Sequence, residues 1–235
     1  MTKEAKMKAR EHWFGKGIYS IPDASRLSQV PARSIRRWVL GYQYPLQGKQ
    51  VEKKPVIAAD YPLIGGEIAI SFADLVEVRY IEAFRSAGVS WKSIRTAHER
   101  ARELFVASHP FNLHRFATDG RTIFVQALEV SGEDLLDLVR SQLAFREVLE
   151  PYLKGLEFSA SGEVIRWWPF EKRKTVVIDP KRSLGQPVVD EFGVPTSVLA
   201  ASFKAEQSVN RVAQLFGVSR PAVEDAMAFE QQLAA

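Results

Sequence analysis

The sequence predicts a mainly α protein with short β-hairpin wings, built from winged helix-turn-helix units and a C-terminal helix-turn-helix-like domain. Three observations carry that reading. Apolar residues recur at three- and four-residue spacing in short segments punctuated by Pro, Gly and Ser. Two segments, one near each end, read as helix, tight turn, helix. Between them lie short β-rich runs joined by glycine-bearing turns. With 235 residues, 46% hydrophobic and 26% charged, the chain has an ordinary globular balance that excludes a disordered, collagen-like or coiled-coil protein.

The first unit runs from Tyr19 to Ile57. Pro22 suits a first helical turn, where its missing N–H costs nothing. Ser28-Gln29-Val30 makes the turn, and a second helix runs from Pro31 to Leu40 until Gly41 stops it. Ala24, Leu27, Val30, Ile35 and Trp38 supply a small core. Tyr42 to Tyr44 and Val51 to Ile57 can pair through Gln47-Gly48-Lys49 as a basic wing, with Pro45 and Pro55 limiting the strands to edge pairing.

Pro62 and Gly65-Gly66 mark a linker. Ser71 and Asp74 form a variant capping box for a helix that ends at Ala87-Gly88. Ser90 caps the next, on which Trp91, Ile94, His98, Ala101, Leu104 and Phe105 share one stripe as far as about Ser108. Asp119-Gly120, between Leu113 to Ala117 and Arg121 to Gln126, predicts a second hairpin. A helix follows from Ser131 to about Tyr152, then a hairpin over Gly155 to Phe170 that turns at Ser159 to Gly162. Thr175 to Ile178 is β-rich, 179–195 is turn-rich, and helices are expected over 196–205, 208–216 and 219–233. The resulting boundaries are 1–57, a linker 58–70, then 71–174 and 175–235.

Charge separates these parts. Residues 1–57 hold 12 Lys/Arg against 4 Asp/Glu, whereas the remainder is slightly acidic. A basic module on a neutral body is the footprint of a protein that meets phosphates at one end. On the second helix of the first unit, Ile35, Trp38 and Val39 face inward and leave Arg33, Ser34, Arg36 and Arg37 outside. Arg33 and Arg37 lie one turn apart and share a face. Such a helix can enter the major groove, where arginine pairs with guanine, while Lys49, Lys53 and Lys54 of the wing clamp the backbone. The expected partner is double-stranded operator DNA, bound by a homodimer, since one helix of this size binds weakly alone. The C-terminal pair of helices carries Glu224, Asp225 and Glu230, which would repel phosphate and suit a protein partner.

Other chemistry finds little purchase. There is no cysteine, which removes disulfides, thiolate metal sites and a cysteine nucleophile. His12, His98, His109 and His114 show no second ligand at metal-site spacing, and His98 reads as a core histidine. Asp134 and Asp137 lack a second acidic pair. Trp167-Trp168-Pro169-Phe170 reads as strand aromatics contributing to a core. No phosphate-cradling glycine loop or nucleophile turn occurs. No catalytic residue, cofactor or metal is expected, and the chain is read as no enzyme. A nucleic-acid-processing enzyme is the rival that metal-dependent cleavage would revive. Apolar stretches are too short to span a bilayer, so a cytoplasmic protein without membrane contact is expected.

Two stretches resemble a known family. Tyr19 to Leu27 with Arg33-Ser34-Ile35-Arg36-Arg37-Trp38, followed by Ser71 to Glu77 and Ala87-Gly88-Val89-Ser90, resembles the MerR-like DNA-binding region of large VapB-type antitoxins. Pro31 stands where that pattern offers a Ser or Thr cap. The tail, with Val177-Ile178-Asp179-Pro180, Gly185 to Val189, Gly193-Val194-Pro195 and Val212 to Phe216, is similar to the antitoxin-associated domain of unknown function 433. Together they span about two thirds of the chain. The resemblance implies an antitoxin of a type II toxin–antitoxin system that represses its own operon and neutralises a PIN-domain ribonuclease toxin of VapC type. The alternative is a plain MerR-like dimeric transcription regulator with no toxin partner.

Overall fold

The computed structural model describes residues 15–63, 65–131, 153, 155–170 and 175–234. Its compact units are two: residues 19–154 with 158–164, and residues 1–18 with 155–157 and 165–235. The expected helix over 131–152 and the basic stretch Lys172 to Lys174 lie outside the described residues, apart from the end of a helix at Ser131.

The N-terminal unit starts with strand β1 (Tyr19–Ser20) and helix α1 (Ile21–Ser28). Ser20 caps α1 by accepting from the Asp23 N–H, and Pro22 sits in its first turn. Gln29, in the left-handed region at φ 59°, ends it. Helix α2 (Ala32–Leu40) starts without a side-chain cap at Pro31, whose carbonyl accepts from Ser34 and Ile35 instead. Ala24, Leu27, Val30, Ile35, Trp38 and Val39 are all buried, as the spacing of the apolar positions requires.

Gly41 joins α2 to an antiparallel hairpin, β2 (Tyr42–Leu46) and β3 (Lys49–Lys53), closed by Gln47 and Gly48. At φ 74° and ψ −172°, Gly41 occupies a region that side-chain-bearing residues avoid, and a Cβ there would stand 2.3 Å from the Lys53 carbonyl oxygen. Gly41→Ala is therefore expected to destabilise the wing junction by at least about 1–3 kcal/mol. A lower urea midpoint with an unchanged m-value would check it.

The segment read as a linker is built into this unit. Val56 and Ile57 donate their N–H groups to the Trp38 carbonyl, Tyr61 and Ile68 are buried, and strand β4 (Ala69–Ile70) pairs antiparallel with β1. The expected boundary at 57–71 thus falls inside one folded unit. Helix α3 (Phe72–Ser86) begins with the full Ser71/Asp74 capping box, and α4 (Trp91–Phe105) is capped by Ser90. A 3-10 turn (Pro110–Asn112) leads to α5 (His114–Ser131). The core gathers Tyr80, Phe84, Phe111 and Phe116, whose ring centroids lie 4.3–6.4 Å apart.

Helix α5 corrects the hairpin expected at Asp119-Gly120. Phe116 and Gly120, four residues apart, are both buried, so one helical face serves the core. Burying that face outweighs a two-residue turn signal.

In the C-terminal unit, β5 (Leu156–Phe158), β6 (Val164–Trp167), β7 (Val176–Ile178) and β8 (Pro187–Val189) form one sheet in that order. The hairpin over 155–170 is present, Trp167 and Trp168 are core aromatics, and β8 lies within the stretch read as turns. Three helices follow: α6 (Thr196–Glu206), α7 (Val209–Phe216) and α8 (Arg220–Ala234). Val189, Leu199, Val212, Val218, Ala222, Val223 and Ala226 make their shared core. The molecule is thus mainly α with short antiparallel strand pairs. No helix of the described residues is long and apolar enough to cross a membrane.

Candidate nucleic-acid interface

Burial of Ile35, Trp38 and Val39 orients α2, and the orientation decides what faces outward. Arg33, Arg36 and Arg37 are exposed and Ser34 is half-buried. The Arg37 guanidinium lies 3.9 Å from the Tyr42 ring centroid, stacked on the first residue of the wing. That stacking reduces the freedom of a long side chain before any ligand arrives. Lys49, Lys53 and Lys54, on and just beyond β3, are all exposed. The structure therefore brings the arginines together on one helix, with the wing lysines on the hairpin that Gly41 joins to it.

Sequence reading missed one neighbouring group. Trp38 of α2 meets Trp91, the first residue of α4, edge to face at 5.5 Å. Arg85 and Arg95 approach the Trp91 ring at 5.7 and 5.5 Å, and Lys92 is exposed. The start of α4 thus adds cations beside the helix that carries Arg33. The signal in the sequence was the clustering of Trp91, Lys92 and Arg95, but nothing there placed it against Trp38.

The same unit holds a buried polar network. Glu77 and His98, both inaccessible, meet at 2.6 Å, and the second Glu77 oxygen accepts from the Phe111 N–H at 2.9 Å. His98 is the core histidine that its apolar stripe implied. Asp74 accepts from the Ser71 and Asp60 N–H groups through Oδ2, and its Oδ1 lies 2.8 Å from His109 Nε2. Burial by itself would push the His109 pKa down. The hydrogen bond to Asp74 and the charges of Glu77, Asp74 and Asp60 outweigh burial and raise it. Tyr61 is pushed up to about 12 by burial, with Asp60 and Asp74 adding to the shift. Asp60, Asp74 and His109 offer ligand atoms that all lie within 4.8 Å of one another, although they stand 14 and 35 residues apart in the chain. The histidine spacings alone could not disclose that grouping.

The acidic face expected on α8 is largely absent. Asp225 is buried and accepts from Thr175 Oγ1 at 2.5 Å, while Glu230, half-buried, accepts from Thr196 Oγ1 at 2.5 Å. Both carboxylates tie α8 to its own unit. Only Glu224 of the three is exposed, and it lies 3.8 Å from Arg220.

A basic helix held by a three-residue turn from its partner, followed by a basic hairpin, defines a winged helix-turn-helix protein of the DNA-binding class. Residues 17–98 match the family described as "Putative DNA-binding HTH domain", which spans the two helices, the wing and the start of α4. The chain is 30% identical over 226 residues to "Putative antitoxin VapB45" of Mycobacterium tuberculosis (strain ATCC 25618 / H37Rv), covering 91% of this chain and 94% of that protein. The crystal structure of Rv2018 from Mycobacterium tuberculosis is similar at a TM-score of 0.70 and 25% identity, over 91% of this chain and 98% of that one. The chain belongs to the VapB45 family.

Proposed function

We propose that this protein is the antitoxin of a type II toxin–antitoxin pair. As a homodimer it binds operator DNA through α2 and the wing, represses its own operon, and neutralises a PIN-domain ribonuclease toxin of VapC type by direct binding. The observation that carries the DNA half is the outward set Arg33, Arg36 and Arg37 on a helix whose opposite face is buried. The order helix, helix, wing, helix, helix along residues 21–105 supports the MerR-like character of this unit. It acts by binding, without catalysis.

The toxin half is supported by the kinship with a protein named as an antitoxin over nearly the whole length of both chains. The C-terminal unit is the part we assign to the toxin. With Asp225 and Glu230 engaged internally, its contact rests on exposed apolar side chains: Leu184, Phe192, Val198 and Leu215 are between 40% and 65% accessible. The test is to express the adjoining reading frame alone and then with this protein. Growth arrest relieved by co-expression, with a complex that co-purifies, is the expected result. A harmless neighbour that does not co-purify would leave a plain dimeric regulator.

The wing makes a separate prediction. Replacing Lys49, Lys53 or Lys54 by alanine should weaken binding on all sequences alike and reduce the slope of log K against log salt by about 1 for each phosphate that is no longer neutralised. Fluorescence anisotropy across a salt series would measure it.

A further inference from the structure

The pairing of His109 with Asp74 has a feature that hydrogen bonding inside the fold does not exhaust. Asp74 divides its two oxygens. Oδ2 serves the backbone, accepting from Ser71 N–H at 2.9 Å and Asp60 N–H at 3.2 Å. Oδ1 is turned to His109 Nε2 at 2.8 Å, and an oxygen of the Asp60 side chain completes a group of three ligand atoms within 4.8 Å. On the far side of the imidazole, Nδ1 lies 3.0 Å from Ser108 Oγ. Metal-binding histidines use such an outer hydrogen bond to fix the ring and its tautomer.

We propose that Asp60, Asp74 Oδ1 and His109 Nε2 form a binding site for a divalent transition-metal ion in the N-terminal unit, with Zn2+ the best match to a donor set of one imidazole and two carboxylates. Three protein ligands leave a position for water, the pattern of an open rather than a closed zinc site. Asp74 and His109 are buried and Asp60 is half-exposed, which provides an approach from solvent. On binding, the proton between Nε2 and Oδ1 leaves to solvent and the ion takes its place. The 3-10 turn that follows His109 carries a buried acceptor of its own. Asn112 is buried, its Nδ2 donates to the Ala73 carbonyl at 2.8 Å, and its Oδ1 has no hydrogen-bond partner.

The ion would tie three parts of the unit together: the segment after the wing, the first turn of α3, and the turn before α5. The first of these continues from Val56 and Ile57, whose N–H groups hold the Trp38 carbonyl of α2. Metal occupancy would thereby brace the helix that carries Arg33.

The experiment uses the full chain, stripped by a chelator and titrated calorimetrically with Zn2+, Co2+ and Mn2+ in turn, with thermal unfolding recorded at saturation. One ion per chain and a raised midpoint are expected for Zn2+. Asp60→Asn, at the half-exposed position least liable to disturb folding, should lose that binding and the midpoint shift while keeping its circular dichroism spectrum. His109→Gln should do the same. Ser108→Ala, which removes only the outer hydrogen bond, should bind roughly 10- to 100-fold more weakly. His114→Gln, at an exposed histidine outside the cluster, should bind as the parent does. Failure of all three ions to bind, or binding that survives both Asp60→Asn and His109→Gln, would overturn the proposal, whatever the protein's DNA or toxin partners prove to be.

Discussion

Arg33→Ala is expected to weaken operator binding by about 1–3 kcal/mol, roughly 5- to 150-fold in Kd, and to relax base preference where that side chain docks. Arg33 is exposed on the first turn of α2, the part of a recognition helix that meets base edges. Its loss removes a bidentate donor without touching the buried face, so the melting temperature should hardly move. Arg37→Ala should differ in kind. Its guanidinium already stacks on Tyr42, so truncation removes both a cation and a brace between helix and wing. Binding to a panel of operator variants, each with one base pair changed, separates the two. Equal losses on every sequence for Arg33→Ala would assign it to phosphate contact instead.

Glu77→Ala carries the largest expected effect on stability, about 3–5 kcal/mol, because it leaves buried polar groups without a partner. The carboxylate of Glu77 is wholly inaccessible and serves two elements at once, His98 of α4 and the Phe111 N–H of the 3-10 turn. Phe111 in turn packs against Tyr80, Phe84 and Phe116, so its displacement would loosen the aromatic core. Glu77→Gln keeps the shape and an acceptor for Phe111 and should cost less than alanine. Urea unfolding of both variants, with helix content followed by circular dichroism, distinguishes a missing partner from a missing volume. A cost near zero for alanine would mean that water replaces the carboxylate.

Much of the local structure was legible in residue order. The capping serines Ser71 and Ser90 each accept from the N–H three residues on, an interaction settled over a few residues of chain. The same holds for the stops at Gly41 and Ala87-Gly88, and for the apolar stripes of α1 and α2. The outward arginines followed directly, since naming the buried face of a short helix names the exposed one. Where a local signal competed with burial at a distance, it failed: Asp119-Gly120 lies within a helix because Phe116 and Gly120 are needed on one buried face.

Charge was harder to read than apolarity. Glu224, Asp225 and Glu230 looked alike along the chain, yet Thr175 and Thr196 draw two of them inward from 50 and 34 residues away. A carboxylate's fate depends on whether a donor from another element reaches it, and no local pattern records that. The segment 58–70 likewise has the composition of a linker, but its Asp60 N–H and its strand β4 are claimed by Asp74 and β1.

The sequence by itself determined the helix-turn-helix, its wing, the arginines that face outward and the three C-terminal helices, because each rests on hydrogen bonds and side-chain periodicity within a turn or two. Only the tertiary structure decided that the linker is part of the fold, that Trp91 and its cations stand beside α2, and that Asp60, Asp74 and His109 meet. Those groupings form when distant elements bury their apolar faces together, and the polar groups carried along must find partners wherever that packing leaves them.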